Sequence, residues 1–399
     1  FFLFPLVLGI PKQLSLCTKD FWNFPFLLAS ILMVLGSINA YSGWLAWVGL
    51  ANWLPFFLIF ISFQLYLQSP ETRKRSALCL LAGTLPVVVT GLGQMWLGWE
   101  GPWQLMNGLI VWFVSPGGNP LGRLSGLFDY ANIAGSWLVV IWPFSIAALL
   151  QPFLRGFIRV FLFIFSSSIA SALIMTESRN AWGGLFLSIP LMFGPTRWFW
   201  LLPLLTFALV PIALSVLPNV DLNIQLLARK IVPKDLWSRL SDLRYADSRE
   251  LASTRLSQWQ VAVDFIRQKP WLGWGAASFS VLYPLVKGLW HGHTHNLPLE
   301  LAVSHGLIVA ILLVGFVLSL LIVSFKLVFL KSFTQQMNSA TNLLFDRAWW
   351  TATFILVFLH ASDIPLFDSR LNILGWILLA GLRSMISTKT RDFMSDRLC

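Results

Sequence analysis

The chain has 399 residues, of which 57% are hydrophobic and only 11% charged, with a formal net charge of +11. A water-soluble protein carries about a quarter charged residues, so this chain has too few polar side chains to cover itself in water. Apolar stretches of roughly twenty residues recur along it, each long enough to cross a bilayer, where a spanning segment must satisfy its own backbone as a helix. The cationic excess therefore reads as the loop asymmetry of a membrane protein, and nucleic acid is not an expected partner.

In chain order the expected spans are 1–10, 21–40, 43–67, 76–96, 128–150, 157–175, 181–194, 197–217, 297–325, 347–361 and 371–386. The first reads as the end of a cut helix. The sequence opens at Phe1 with neither a Met nor a charged leader, and preceding residues are expected. The segment 181–194 is short for a full crossing. "WQLMNGLIVWFV" (103–114) is shorter still and is expected to lie in the interface or dip into it.

Short loops set the orientation. "ETRKR" (71–75) groups three cations between two spans and is placed in the cytoplasm. Alternation then brings "PFLRGFIR" (152–159), "PTRW" (195–198), "KLVFLK" (326–331) and the tail "TKTRDFMSDR" (388–397) to the same side, each with Lys or Arg. The outer side receives 97–127, the turn "ESRN" (177–180), the long segment 218–296 and "SDIPLFDSR" (362–370). Cys17, Cys79 and Cys399 fall at cytoplasmic or membrane positions, so no disulfide framework is expected. The expected fold is an all-α polytopic membrane protein of about 11–12 transmembrane helices with one large outer loop. Residues 1–217 form its N-terminal helices, 218–296 the outer loop, and 297–399 the C-terminal helices and tail.

The chemistry-bearing residues gather outside. "SRELASTRLSQWQVAVDFIRQKP" (248–270) reads as an amphipathic helix with Leu251, Trp259, Ala262, Val263 and Ile266 on its apolar face, stopped at Pro270. Arg255 lies one turn from both Leu251 and Trp259, where a cation needs a partner or an anionic ligand; snorkelling outward is the alternative. "WHGHTHNLPLE" follows, with His291, His293 and His295 alternating before Asn296 at the cap position of the next span. A helix N-terminus disfavours imidazolium, so His295 is expected to be neutral and able to accept a proton. Arg123 and Arg179 stand at the outer ends of spans, against the usual charge bias. They suit an anionic ligand, or else pair with Asp129 and Glu177.

Three alternating histidines suit zinc, but neither an H-E-x-x-H motif nor a cysteine cluster accompanies them. Arginines suit phosphate and diphosphate through forked, permanent donors, and a histidine can deprotonate a hydroxyl. Walker, G-x-G-x-x-G and D-x-D patterns are absent from the outer segments. Group transfer there needs a donor activated without soluble nucleotides.

"RLSQWQVAVDFIRQKPWLGWGAASF" followed by "HTHNLPLELAVSHGLIVAILL" resembles the core of the O-antigen ligase and polymerase (Wzy-type) family. The pattern runs through Arg255, Trp259, Pro270, Gly273, Gly275, Phe279, His295, Asn296, Leu299, Glu300 and Gly306; "GLFDYAN" (126–132) and "SRNAW" (178–182) add its earlier stretches. The resemblance implies a GT-C-like, metal-independent inverting glycosyltransferase in the bacterial cytoplasmic (inner) membrane. Its donor would be a polyprenyl diphosphate-linked glycan, its acceptor the hydroxyl of a glycan, lipid or protein on the outer face, and it would use no cofactor. His295 would then be the base. Arg179 and Arg255 would hold the diphosphate, with Arg123 behind them, and Asn296, His293 and Trp259 are candidate substrate contacts. The family assigns no role to His291 or His293, which line the acceptor path or, as the preferred reading, are solvated loop residues. A bicarbonate-like transporter, or a non-catalytic subunit that binds another membrane complex, stays open as an alternative. The acidic residues Glu100, Asp129, Glu177 and Asp363 near outer span ends favour outer-face chemistry over transport.

Overall fold

The computed structural model describes residues 21–152, 154–241, 254–330 and 340–395. The expected span 1–10, the positions Leu251, Cys17 and Cys399, and the end of the tail lie outside them. Each expected span from 21–40 onward coincides with helix. The first five helices are α1 (Phe24–Ile38), α2 (Trp44–Leu50), α3 (Leu54–Tyr66), α4 (Pro70–Gly83) and α5 (Leu85–Trp96). A bundle of α6 (Ala131–Leu149), α7 (Gly156–Met175), α8 (Arg179–Phe193) and α9 (Pro195–Val216) follows. Helices α10 (Leu222–Ile231), α11 (Lys234–Leu240), α12 (Arg255–Gln268) and α13 (Ser278–Lys287) precede α14 (Leu297–Phe325), α15 (Ala340–Leu359) and α16 (Ser369–Ser395).

Seven segments of the described chain are long and apolar enough to cross a membrane: Phe21–Ile38, Trp44–Tyr66, Pro70–Trp96, Ala131–Leu149, Gly156–Met175, Pro195–Val216 and Leu297–Leu330. Their outward faces are greasy. On α9, Phe199 is 92% and Phe207 80% exposed, and contiguous apolar surface of that kind is at home only against lipid or a partner. The protein is a multi-pass, all-α membrane protein. One continuous core joins the bundle, with α6 packed on α7 and α15, α3 on α16, and α1 on α14.

Three readings of the sequence are corrected. Residues 103–114 form an antiparallel hairpin, Trp103–Leu105 (β1) with Ile110–Trp112 (β2), in register Trp103↔Trp112. Its turn puts Met106, Asn107 and Gly108 at positive φ, which Asn-Gly favours. The amphipathic helix, α12, begins at Arg255, where the Thr254 hydroxyl caps the Ser257 N–H. Its buried face is Ser257, Gln258, Val261, Ala262 and Phe265, while Val263 is exposed. The face is rotated because α12 packs sideways, forming a satellite core with Phe279, Leu282 and Tyr283 of α13 and Val303 of α14. Finally, Arg73 of "ETRKR" lies within α4 rather than in a loop between spans. It is buried and forks onto Asp346 of α15 at 2.8 and 3.0 Å.

The segment 270–277 is inserted into a break in α14. Gly306 has φ 86 and ψ 165, so the helical ladder is interrupted there. The carbonyls of Val303 and Ser304 accept from the N–H groups of Trp274 (2.8 Å) and Gly275 (2.9 Å), and Leu307 N–H donates to the Pro270 carbonyl (2.8 Å). At membrane depth, opened backbone must find such partners. The insertion requires glycine twice over: a side chain on Gly273 would sit 2.6 Å from the Val303 carbonyl oxygen, and one on Gly306 would overlap the Trp271 carbonyl. Gly306→Ala is therefore expected to destabilise the protein by about 2–4 kcal/mol through steric clash and positive-φ strain. A lowered thermal unfolding midpoint in detergent checks this; an unchanged midpoint contradicts it.

Candidate functional site at the start of α14

The turn that enters α14 is tied from four directions. Asn296 caps the helix, its Oδ1 accepting from Leu299 N–H at 3.0 Å, while its amide nitrogen donates to the Ala361 carbonyl at 2.9 Å. The N–H of Leu297 donates to the His360 carbonyl, docking α14 on the end of α15. From the next turn, buried Glu300 reaches back: Oε2 accepts from Thr294 N–H at 3.0 Å and Oε1 from the Ser304 hydroxyl at 3.1 Å. From α12, the Trp259 indole N–H donates to the Thr294 carbonyl at 3.0 Å. Together these hold His295 at φ 54, a left-handed conformation disfavoured for a side chain of this size. Such strain persists only where surroundings over-determine it, and it concentrates at functional sites.

The imidazoles are close. The rings of His293 and His295 lie 4.2 Å apart and those of His291 and His295 6.3 Å apart. His295 donates its backbone N–H to His293 Nδ1 at 3.1 Å, and its own Nδ1 lies 2.9 Å from Oε1 of Gln258. Burial lowers the pKa of His295 below 6.5, with the positive charges of Arg255 and His291 adding to it and the carboxylate of Asp363 opposing. His293 is lowered to about 4, again chiefly by burial and then by His295. Neutral imidazole at the helix start, expected from the sequence, follows.

His293, His295 and Asp363 each offer a ligand atom within 4.8 Å of the others. The hydrogen bonding does not suit a three-ligand metal site, however. The Nδ1 lone pair of His293 is engaged, so its neutral ring carries the proton on Nε2 and has no free lone pair to give.

The structure brings Arg255, Trp259, His291, His293, His295 and Asn296 to one place, and adds Gln258, Glu300 and Asp363, which the motifs did not single out as site residues. A signal for Gln258 existed: a lone amide on what becomes the buried side of α12. The polar groups of Asn296 and the indole of Trp259 are engaged within the protein, which gives these two residues the task of fixing the turn.

Arg123 and Arg179 form a second group. Arg123 is buried, donating from Nε to the Thr176 carbonyl at 2.8 Å and from a terminal nitrogen to Asn132 at 2.6 Å. It thereby pins the turn before Arg179, which stands in the first turn of α8 behind Ser178. Glu177 of that turn lies 3.9 Å from Arg239 of α11, a buried cation the sequence reading passed over. The loop 362–370 spans the two groups. Phe367 lies 5.3 Å ring to ring from His293, while Arg370 donates to the Leu127 carbonyl at 2.9 Å.

Two cavities adjoin the turn. One of about 210 Å³ is lined by Asn52, Trp53, His293, Glu300, Ser304 and His305. The other, about 330 Å³ and apolar, starts at Leu297 and Pro298 and runs down between Phe316, Leu356 and Trp376.

Fold and site define a multi-pass membrane protein with basic and imidazole groups gathered at one end of a discontinuous helix. Residues 161–314, less than half of the chain, match the family model described as O-Antigen ligase, the domain whose motifs the sequence resembles. The match runs from α7 into α14 and contains Arg179, Arg255 and all three alternating histidines; Arg123 and Asp363 lie outside it. Glycan and lipid-linked substrates go with that domain in general. No curated protein matches the chain.

Proposed function

We propose that the protein moves a glycan from a polyprenyl diphosphate carrier to an acceptor hydroxyl at the outer face of the cytoplasmic membrane. The observation that carries this reading is the juxtaposition of His295, neutral and held in a strained turn, with the guanidinium of Arg255. His295 Nε2 takes the proton of the acceptor hydroxyl as its oxygen attacks the anomeric carbon. The bond from that carbon to the diphosphate oxygen breaks on the opposite face, inverting the centre. Charge then accumulates on the leaving diphosphate, where Arg255 and Arg179 stabilise it. The apolar cavity beginning at Leu297 has the chemistry a prenyl chain needs, and the cavity beside His293 has polar groups and an aromatic wall suited to a sugar. The O-antigen ligase match favours this reading over a transporter or a non-catalytic subunit.

The test is transfer from a synthetic polyprenyl diphosphate glycan in vesicles holding the purified protein, with the anomeric configuration of the product determined. Inverted product supports the scheme. Retained configuration, or no transfer to any hydroxyl acceptor tried, removes it. The His293 tautomer adds an expectation: transfer is unchanged within about twofold after EDTA treatment, since base and arginines suffice without a Lewis acid. Loss on chelation with recovery on added zinc would return His293, His295 and Asp363 to the role of ligands.

A further inference from the structure

We propose that Gln258 is a positioning residue that fixes the tautomer of His295, keeping the proton on Nδ1 and the lone pair on Nε2 for the acceptor hydroxyl. The inference rests on the reading of His295 as the base. Its geometric basis is the 2.9 Å contact between His295 Nδ1 and the side-chain carbonyl oxygen of Gln258, across 37 residues of sequence. An amide oxygen only accepts, so the ring nitrogen facing it must be the donor. A neutral imidazole has one N–H, and with that hydrogen on Nδ1 the opposite nitrogen is bare.

Gln258 is placed to do this with little freedom. It is 1% exposed, on the face of α12 that is packed by Val261, Ala262 and Phe265 against Phe279 and Tyr283. The adjacent Trp259 clamps the same turn through the Thr294 carbonyl, so α12 holds both the backbone and the ring of the histidine segment. Next to it, His293 accepts the His295 N–H at Nδ1 and so carries its own proton on Nε2. The two neighbouring rings are thus held in opposite tautomers: His295 presents a lone pair at Nε2, and His293 presents an N–H. One removes a proton while the other donates a hydrogen bond.

The choice of an amide has a physical reason. A carboxylate at this position would hold the same tautomer, but it would also favour imidazolium and consume the base at neutral pH. It would also add a negative charge where a diphosphate must approach, beside an Asp363 carboxylate that already opposes the effect of burial on His295. A neutral acceptor orients the ring without either penalty.

The experiment uses the full-length protein in vesicles with the polyprenyl diphosphate glycan donor, comparing wild type with Gln258→Leu and Gln258→Glu. Gln258→Leu should lower kcat about 10²-fold, the lower end of what a general base contributes, with donor KM unchanged within about twofold. Gln258→Glu should keep the Nδ1–H bond, recover most of the rate at high pH and move the acidic limb of the pH profile upward. Nitrogen-15 NMR of ring-labelled histidine should report the Nδ1–H form of His295 in the wild type, a readout independent of turnover and of whether the leucine variant folds. A merely structural role predicts lower thermal stability, with the acidic limb unmoved in both variants. That outcome, or an Nε2–H signal for wild-type His295, overturns the proposal. The two levels separate cleanly: activity retained in a His295 variant sinks the base itself, whereas an inactive His295 variant alongside wild-type behaviour of both Gln258 variants sinks only the role of Gln258.

Discussion

Replacing His295 with asparagine is expected to reduce glycan transfer about 10³-fold while leaving the protein folded in the membrane. A positioned general base contributes about 10²–10⁴ in rate, and the Nδ1 of this imidazole faces the buried side-chain carbonyl of Gln258 on α12. Asparagine is a better probe than alanine. The position has φ 54, and asparagine is among the side chains that visit this region with least strain, so the turn that seeds α14 is preserved. Transfer is measured in vesicles and folding by the thermal midpoint in detergent. A variant that transfers at the wild-type rate would remove His295 from the chemistry.

The wild-type profile carries a linked expectation. Burial lowers the His295 pKa, so the ring gains its proton only below 6.5, and activity should fall on the acidic side of that value. Arg255→Gln, which removes a positive charge that contributes to the lowering, should move this limb towards higher pH.

The second large effect is expected at the arginines. Arg255→Lys should lower transfer by about 10²-fold, the scale found when one donor to a developing negative charge is lost. Lysine keeps the charge but not the fork, so the acidic limb should stay in place while the rate falls. Arg179→Lys should act in the same direction if the diphosphate bridges the ends of α8 and α12. The readout is kcat with a diphosphate donor. Unchanged kinetics in both variants would return these arginines to structural work, for which a lysine suffices.

Much of the site was legible because its parts are local. The spacing His291, His293, His295, Asn296 already places three imidazoles before a capped helix, and the observed Asn296 cap follows from short-range hydrogen bonding. The hairpin at 103–114 was also legible, through Asn107-Gly108, but an apolar composition argued for the bilayer and prevailed. What pattern reasoning missed is nonlocal. Gln258 looks like a solvated helix residue until α13 and Val303 of α14 cover that side. Asp363 joins the histidines only because Asn296 and Leu297 bond the backbone at the end of α15. Arg73 looks like a loop cation until Asp346 arrives from another helix.

By itself, then, the sequence determined a many-helix membrane protein with the O-antigen ligase motif set and a histidine cluster ahead of a capped helix, because hydropathy, charge bias and capping act over neighbouring residues. Only the tertiary structure decided how those residues meet: the break of α14 around the 270–277 insertion, the rotation of α12 and the hydrogen bond that orients His295. These depend on close packing and on finding partners for buried polar groups, conditions that no stretch of chain can satisfy alone.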